Sequence, residues 1–194
     1  MNVYDFDNTI YRGDATKDFY RFCLKKHPCI IRKLPTQIFG FISDKMGKMD
    51  RTEFKERFFS FLQVIKIDKT LLDEFWDRKE KNIEKWYLQQ RNDDDVVITA
   101  SPEFLIFPVC ERLGIKHLIA TRIDLETGKC DGANCHGEEK VKRFLETFKD
   151  TTVDKFYSDS LSDAPMAKIS TNSFLVKKGE IIEWIPYSDT TVSP

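Results

Sequence analysis

The sequence predicts an α/β protein with a doubly wound, mainly parallel sheet and a block of helices inserted after its first strand. The 194-residue chain opens with a short apolar run and a polar loop over residues 1–13. Residues 14–91 carry helical spacing, and residues 92–194 alternate short apolar runs with helical patterns. Such alternation is typical of parallel strands that are joined by helices.

The helical block begins with "FYRFCL", whose apolar residues recur at helical spacing until the pattern stops before Pro28. Asp50 then begins a capping box that Glu53 completes three residues later. Asp68 opens a further long amphipathic stretch. We therefore expect this block to be entirely helical.

In residues 92–194 the spacing of the apolar residues changes. "VVITA" (96–100) is an unbroken apolar run, which is typical of a strand covered on both faces. Ser101 and Pro102 then predict a helix cap followed by proline at the first helical position. The remaining predicted elements are the strand "HLIATRI", the helix "EEKVKRFLETF", the strand "KFYSD" and a hairpin in "SFLVKKGEIIEW" that turns at Lys178-Gly179.

Composition excludes several functions. The formal net charge is −1, with 31 basic and 32 acidic residues, so no overall basic field favours nucleic acid. The five cysteines include no CxxC pair, which argues against a disulfide framework and a structural zinc site and fits a reducing compartment. No charged-then-apolar leader is present, and "CIIRKLPTQIFGFI" is too short and too charged to span a bilayer. We expect a cytoplasmic monomer or homodimer with no nucleic-acid partner and no stable membrane insertion.

Two acids, Asp5 and Asp7, lie where the first predicted strand gives way to a loop. Residues two apart on a strand point to the same side, and this edge of an open α/β sheet is where ligands bind. Two close carboxylates repel each other unless a cation lies beside them, and Mg²⁺ is the natural partner for hard oxygen ligands. The plain alternative is a solvated loop that carries two surface acids.

Further polar residues follow later strands. Thr99 ends the run "VVITA", and a helix N-terminus at Pro102 would favour an anion. Lys140 lies near the start of the next helix, and Asp159 and Asp163 follow another strand. Each of these taken alone fits an ordinary strand end, helix face or loop. Their order along the chain, however, predicts a metal-bound phosphoryl site.

Four segments, "DFDNT", "VVITAS", "GEEKV" and "YSDSLSDAPM", resemble the signature motifs of the haloacid-dehalogenase superfamily of phosphotransferases. "TASPEFL", "NCHGEEKV" and the fourth motif resemble its subfamily IB, the phosphoserine-phosphatase-like hydrolases. The resemblance covers nearly the whole chain. It implies a Rossmann-like catalytic core of residues 1–13 and 92–194, with residues 14–91 as an all-helical, C1-type cap domain.

The resemblance also implies the chemistry of the acids. Asp5 would attack phosphorus and form an aspartyl-phosphate, and Asp7 would act as general acid and base. Mg²⁺ would be held by the Asp5 carboxylate, the Asp7 backbone carbonyl and Asp159, with support from Asp163. The dehalogenases of the superfamily lack the second acid, so Asp7 argues for phosphoryl chemistry.

Phosphoryl oxygens would be bound, by the same resemblance, by Thr99, the neighbouring Ala100 and Lys140. Asn8 stands where glycine or serine is frequent, and we expect it to be tolerated. Ser162 stands where phosphoserine phosphatases carry a substrate-contacting asparagine, which weakens the case for an amino-acid substrate.

The helical block should determine which substrate is accepted. Asp14 stands nine residues after Asp5, where those enzymes carry a glutamate that binds the amine of phosphoserine, and Arg57 resembles their carboxylate-binding arginine. The alternative, which we favour, is that Asp14 caps a helix and Arg57 is a solvated charge. Nine of the 16 phenylalanines lie in residues 14–91, where they form core or, alternatively, line a groove for a lipid phosphate. Phosphoserine-like compounds, other small phosphorylated metabolites and lipid phosphates therefore all remain open as substrates.

The sequence thus predicts an Mg²⁺-dependent phosphomonoesterase that acts on a small phosphorylated substrate. Three alternatives stay open. One is a phosphotransferase or mutase of the same superfamily, and another is a catalytically idle phosphate-binding protein. The third is a receiver-type signalling domain, although there the phosphorylated aspartate follows a later strand and no large helical insertion is needed.

Overall fold

The computed structural model describes residues 1–149 and 151–184. The strands of this part are β1 (Asn2–Tyr4), β2 (Val96–Pro102), β3 (His117–Thr121), β4 (Val153–Ser158), β5 (Ser170–Lys177) and β6 (Glu180–Glu183). They form one sheet in the order β3-β2-β1-β4-β5-β6, which is parallel except that β6 runs antiparallel to β5. The predicted α/β fold with a mainly parallel sheet is confirmed.

Five of the helices lie between β1 and β2. The helices are α1 (Ala15–Lys26), α2 (Leu34–Lys45), α3 (Arg51–Phe59), α4 (Lys69–Lys79), α5 (Lys85–Gln90), α6 (Glu103–Leu113), α7 (Glu138–Thr147) and α8 (Ala164–Lys168). The helical block predicted after the first strand is thus present. Its bounds as a separate cap domain stay a prediction, and residues 150 and 185–194 of the predicted core lie outside the described residues.

Three helices of this block begin at a residue whose side chain caps the helix. Asp14, Asp50 and Asp68 each accept hydrogen bonds from backbone N–H groups in the first turn of α1, α3 and α4. The caps satisfy donors that have no partner within the helix. The long stretch after Asp68 forms two helices, because α4 ends at Lys79 and a 3₁₀ turn precedes α5.

The predicted helix cap at Ser101 is wrong. Strand β2 continues through Pro102, which pairs with Thr121 of β3, and α6 begins only at Glu103 without a side-chain cap. The Ser101 hydroxyl instead donates a hydrogen bond to Asp7. A tertiary contact has therefore replaced the local capping role that the Ser-Pro sequence favours.

The predicted hairpin at Lys178-Gly179 is confirmed. Lys177 pairs with Glu180 across the turn, and the φ angles of Lys178 and Gly179 are 53° and 84°. Two-residue hairpins with positive φ at both positions match the right-handed twist of the paired strands. Glycine adopts this conformation without strain, which explains its place in the turn.

Apolar side chains cover both faces of the sheet. Val3 and Tyr4 of β1 belong to different buried clusters, as alternation along a strand requires. The larger cluster, on the Tyr4 side, includes residues of α1, α4, α5 and α6. Within it the Trp76 indole N–H donates to the Leu105 carbonyl at 2.7 Å, which joins α4 to α6. The helical block therefore shares one apolar core with this face of the sheet.

The helices of the described part of the chain were compared with the length and apolarity that a membrane span needs. None of the helices in residues 1–149 and 151–184 is both long and apolar enough to cross a bilayer.

Candidate active site

Three of the predicted site residues meet at the edge of the sheet where β1 and β4 end. The Asp5 amide donates to the Tyr157 carbonyl at 2.8 Å, which fixes the loop after β1 beside β4. Lys140, on the first turns of α7, donates from Nζ to Asp5 Oδ1 at 2.7 Å and to Asp163 Oδ2 at 2.8 Å. We call these three residues the Asp–Lys–Asp cluster.

The cluster is buried, and its charges depend on one another. The side chains of Lys140, Asp5 and Asp163 are only 3%, 10% and 3% exposed. Burial raises the pKa of Asp5 to about 7, although the Lys140 ammonium favours the charged carboxylate. Burial alone would lower the pKa of Lys140, but the two carboxylates raise it above its usual value. The lysine therefore remains a fixed positive charge at the end of the sheet.

Asp163 has one oxygen bound and one without a partner. Its Oδ2 accepts from Lys140 and from the Ser158 hydroxyl, the latter at 2.7 Å. Its Oδ1 is buried and accepts no hydrogen bond from the described residues. A buried carboxylate oxygen of this kind normally has a polar partner, so Oδ1 is suited to accept from water or from a bound ion's hydration shell.

Asp7 is held separately from the cluster. The Ala15 amide donates to Asp7 Oδ1 at 2.6 Å, and the Ser101 hydroxyl donates to Oδ2. Burial raises the pKa of Asp7 to about 6, and the charge of Asp14 adds to the rise. A carboxyl group with a pKa near neutrality can give and take a proton under ordinary conditions.

A cavity of about 340 Å³ opens beside Asp7. The loops at the sheet edge and the first turn of α1 supply polar residues, and α3 supplies three phenylalanines together with two basic residues. The lining includes Asp7, Asp14, Phe54, Phe58, Ala100 and His136. Asp14 also caps α1 by accepting from the Lys17 amide at 2.9 Å, so it has the capping role of the alternative interpretation and a place in the cavity.

Lys55 of α3 is a cavity residue that the sequence analysis missed. Its Nζ donates to the Ala100 carbonyl and, at 2.6 Å, to Asn134 Oδ1. Burial lowers the pKa of Lys55 to about 8. These contacts join α3 to the end of β2 across 45 positions of sequence. No local pattern in "TEFKERF" signals a contact of this range, and the contact of Ser101 with Asp7 was likewise not predicted.

Thr99 and Ala100 occupy different positions at the end of β2. Thr99 is buried, and its hydroxyl oxygen accepts from the Ser101 amide at 3.0 Å. It does not appear among the residues that line the cavity, whereas Ala100 does. The hydroxyl of Thr99 therefore supports the strand end that carries Ser101.

Two predicted substrate-binding residues lie away from the cavity. Arg57 donates to Glu53 at 3.0 Å, and its guanidinium carbon lies 5.0 Å from the centre of the Phe39 ring. Ser162 is exposed and shares a hydrogen bond with Ser160 at 2.8 Å. Arg57 is only 34% exposed and packs against α2, so it is neither a fully solvated charge nor part of the cavity lining, and its role as a substrate ligand stays a prediction.

The predicted metal ligands have the chemistry that Mg²⁺ requires. Asp159 follows β4 and is half-buried, and burial raises its pKa while a hydrogen bond from Asn8 opposes the rise. Asn8 has a φ of 54°, a conformation that asparagine tolerates better than most residues. Asp5, the Asp7 carbonyl and Asp159 offer oxygen donors only, which suits a hard cation that keeps several waters.

Only two side chains belong to this set of oxygen donors. Among residues 1–149 and 151–184, no group of three or more histidine, cysteine and acidic side chains is arranged as a metal site. The proposed set needs only two carboxylates and one carbonyl, and the orphaned Asp163 Oδ1 is available to a metal-bound water. The residues present therefore fit Mg²⁺.

A buried Asp–Lys–Asp cluster lies at the carboxyl edge of a parallel sheet, which is the edge where α/β enzymes bind their ligands. A family model described as haloacid dehalogenase-like hydrolase matches residues 3–168. Because the match covers most of the sequence, the chain belongs to the haloacid dehalogenase-like hydrolase family. The predicted superfamily and the hydrolase class are confirmed.

Three known proteins illustrate the similarity. Protein CicA of Caulobacter vibrioides is 36% identical over 81 residues, which are 39% of this chain and 36% of CicA, so the match spans about a third of that relative. Histidinol-phosphatase of Neisseria meningitidis serogroup C is 24% identical over 94% of this chain and 92% of its own. A substrate-bound phosphoserine phosphatase has the same fold, with a TM-score of 0.58 and 14% identity over 88% of this chain and 82% of its own.

Proposed function

We propose that the chain is an Mg²⁺-dependent phosphoric monoester hydrolase that works through an aspartyl-phosphate on Asp5. The observation that carries the proposal is the Asp–Lys–Asp cluster, in which a buried lysine lies between the proposed nucleophile and Asp163. Family membership supports a hydrolase, and the histidinol-phosphatase and phosphoserine phosphatase similarities support a phosphate ester as the bond that is cleaved.

Asp5 would supply the attacking oxygen. Its Oδ1 accepts from Lys140, while no hydrogen bond from the described residues reaches Oδ2. Oδ2 would attack phosphorus as the bond from phosphorus to the ester oxygen breaks, and the leaving alcohol would take a proton from Asp7. Water would then attack the acyl phosphate, Asp7 would take the proton, and inorganic phosphate and free Asp5 would result.

The positive charges of the site would compensate the phosphate. Lys140 is fixed by two carboxylates and would contact a phosphoryl oxygen, which makes it the main protein cation of the reaction. Asp5, the Asp7 carbonyl and Asp159 would hold Mg²⁺, which when bound neutralises further charge of the substrate. Asp163 would keep Lys140 in place.

The cavity favours a small phosphorylated metabolite. Its volume of about 340 Å³ is modest, and it presents the acid Asp14 and the ammonium of Lys55 next to Phe54 and Phe58. A leaving group with an amine would pair with Asp14, and an apolar part would pack on the phenylalanines. Phosphorylated amino alcohols and amino acids combine these features.

The free thiols of all five cysteines support the prediction of a reducing, cytoplasmic location.

The test is hydrolysis of p-nitrophenyl phosphate with Mg²⁺, with EDTA, and by an Asp5→Asn variant. A matched control is Asp131→Asn, since the Asp131 side chain is 77% exposed. We expect turnover by the wild type and the control with Mg²⁺ only, and none by Asp5→Asn. Phosphoserine and histidinol phosphate follow as substrates. Metal-independent turnover, or turnover that survives Asp5→Asn, would refute the mechanism.

A further inference from the structure

Helix α2 exposes an unusually apolar face, formed with the turns on either side of it. Six large apolar side chains of this region are each 51–57% exposed. They are Ile31, Ile38, Phe39, Phe41, Ile42 and Met46, which we call the α2 patch. Contiguous exposed apolar surface of this kind marks an interaction site rather than an ordinary solvated helix.

The opposite side of α2, which faces the protein, is polar or small. Gln37 donates to the Phe58 carbonyl at 2.8 Å, and Gly40 lies so close to Arg57 that an added Cβ would be 3.0 Å from the Arg57 Cβ. Asp44 lies toward Arg51, 3.9 Å from its guanidinium. A solvated helix buries its apolar face and exposes its polar face, and α2 does the reverse.

Charge around the α2 patch differs from charge in the whole chain. Residues 31–48, which hold the α2 patch and its flanks, contain four basic residues and one acidic residue, although the formal net charge of the protein is −1. The single acid, Asp44, is turned inward toward Arg51. Lys45 lies 4.6 Å from the centre of the Phe41 ring, so a cation borders the apolar surface directly. The patch is thus apolar in its middle and positive at its edges.

We propose that α2 docks this protein on the surface of an anionic lipid bilayer. Apolar side chains flanked by lysine and arginine enter the boundary between headgroups and acyl chains while the cations contact lipid phosphates. A second copy of this chain is disfavoured, because a symmetric contact would place the same basic residues against each other. The net-negative chain as a whole has no such attraction, so the basic edge would set the orientation.

Docking through α2 would orient the catalytic cavity relative to the bilayer. Helix α3 lies between α2 and the cavity, because Arg57 packs on Gly40 of α2 while Phe54 and Phe58 line the cavity. Packed helices are about 8–10 Å apart, so α2 and α3 together, about two helix diameters, separate the cavity from the membrane-facing side. The docking itself rests on the α2 patch and is independent of the proposed activity.

The test is flotation of the purified full chain with lipid vesicles. One set contains phosphatidylcholine alone and the other an equal mixture of phosphatidylcholine and phosphatidylglycerol. We expect flotation with the anionic vesicles only, and a decrease as salt is added. The double variant Phe41→Ser/Ile42→Ser and the double variant Lys45→Glu/Lys48→Glu should each reduce the bound fraction about tenfold or more.

A matched control replaces apolar residues that are similarly exposed elsewhere. Phe107 on α6 and Leu145 on α7 are 50% and 47% exposed, and Phe107→Ser/Leu145→Ser should float like the wild type. Circular dichroism shows whether each variant is folded. No flotation of the wild type, or equal flotation of the Phe41→Ser/Ile42→Ser variant and the control, would overturn the proposal. So would a dimer in solution that Phe41→Ser/Ile42→Ser dissociates.

Discussion

Replacing Lys140 with methionine should destabilise the protein and nearly abolish its activity. The substitution keeps most of the side-chain volume but removes an ammonium that donates to Asp5 at 2.7 Å and to Asp163 at 2.8 Å. Loss of one partner of a buried ion pair costs about 3–5 kcal/mol, because the remaining charge is left uncompensated. Removal of one preorganised donor from a reacting oxygen lowers kcat by about 100-fold or more.

The loss of stability caused by Lys140→Met should depend on pH, and the pKa of Asp5 determines in which direction. Burial already raises the pKa of Asp5 to about 7, and loss of the ammonium raises it further. Between the ordinary carboxyl pKa and the raised pKa of Asp5, the folded protein holds a proton that the unfolded chain has lost, so the free energy of unfolding falls as pH rises. In the variant this fall continues to a higher pH than in the wild type, because its Asp5 pKa is higher. The difference in unfolding free energy between wild type and variant should therefore be smaller at pH 5 than at pH 8.

Urea unfolding of the two proteins at both pH values measures these differences. The control is Lys142→Met on the same helix, because the Lys142 side chain is 63% exposed and should change stability by less than about 0.5 kcal/mol. In a double-mutant cycle, adding Asp163→Asn to Lys140→Met should recover part of the loss. Equal stability of the Lys140 and Lys142 variants would refute the reasoning.

Three further predictions concern stability. Burial lowers the pKa of Lys55 to about 8, so between that pH and its ordinary pKa the unfolded chain holds the extra proton and the contribution of Lys55 to stability rises with pH. The unfolding free energy of the wild type minus that of Lys55→Met should therefore increase from pH 8 to pH 10 in urea titrations, because the buried cysteines and tyrosines that titrate in this range contribute equally to both proteins. Trp76→Phe removes the hydrogen bond to the Leu105 carbonyl and should cost about 1–3 kcal/mol, measured by urea unfolding. Gly128 has a φ of 75° and an added Cβ would clash with the Phe59 carbonyl, so Gly128→Ala should lower the unfolding free energy by about 1–3 kcal/mol or more, and an unchanged thermal midpoint would contradict this.

The positions of some candidate site residues could be predicted from the strand pattern. Asp5 and Asp163 each lie just beyond a strand of a parallel sheet, and such strand ends meet at one edge whatever the intervening chain does. Lys140 lies at the start of a helix that joins two strands, so the same rule places it there. The strand pattern therefore predicts which edge of the sheet these residues reach, and the resemblance to the family motifs predicts that their side chains act together.

Contacts between the helical block and the sheet could not be predicted in this way. Lys55 reaches Ala100, and Thr16 shares a hydrogen bond with Ser101 at 2.8 Å, across 85 positions. No periodicity specifies which side of one helix meets which loop, because packing of the whole core decides it. Ser101 shows the result, since its local sequence favours a helix cap and its tertiary environment makes it a partner of Asp7.

The apolar core shared by the helical block and the sheet has a consequence for substrate entry. Swinging the entire block away would expose buried aromatic residues of α1 and α4, at about 2–3 kcal/mol for each side chain. The first turns of α3 are held to the sheet side mainly by polar contacts, from Lys55 to Ala100 and from the Asn134 amide to Thr52 at 3.2 Å. Such contacts contribute about 1 kcal/mol each, so opening of this single helix end would cost less than movement of the whole block. Helix α3 therefore offers the less costly way to widen the cavity beside Asp7 for a larger leaving group.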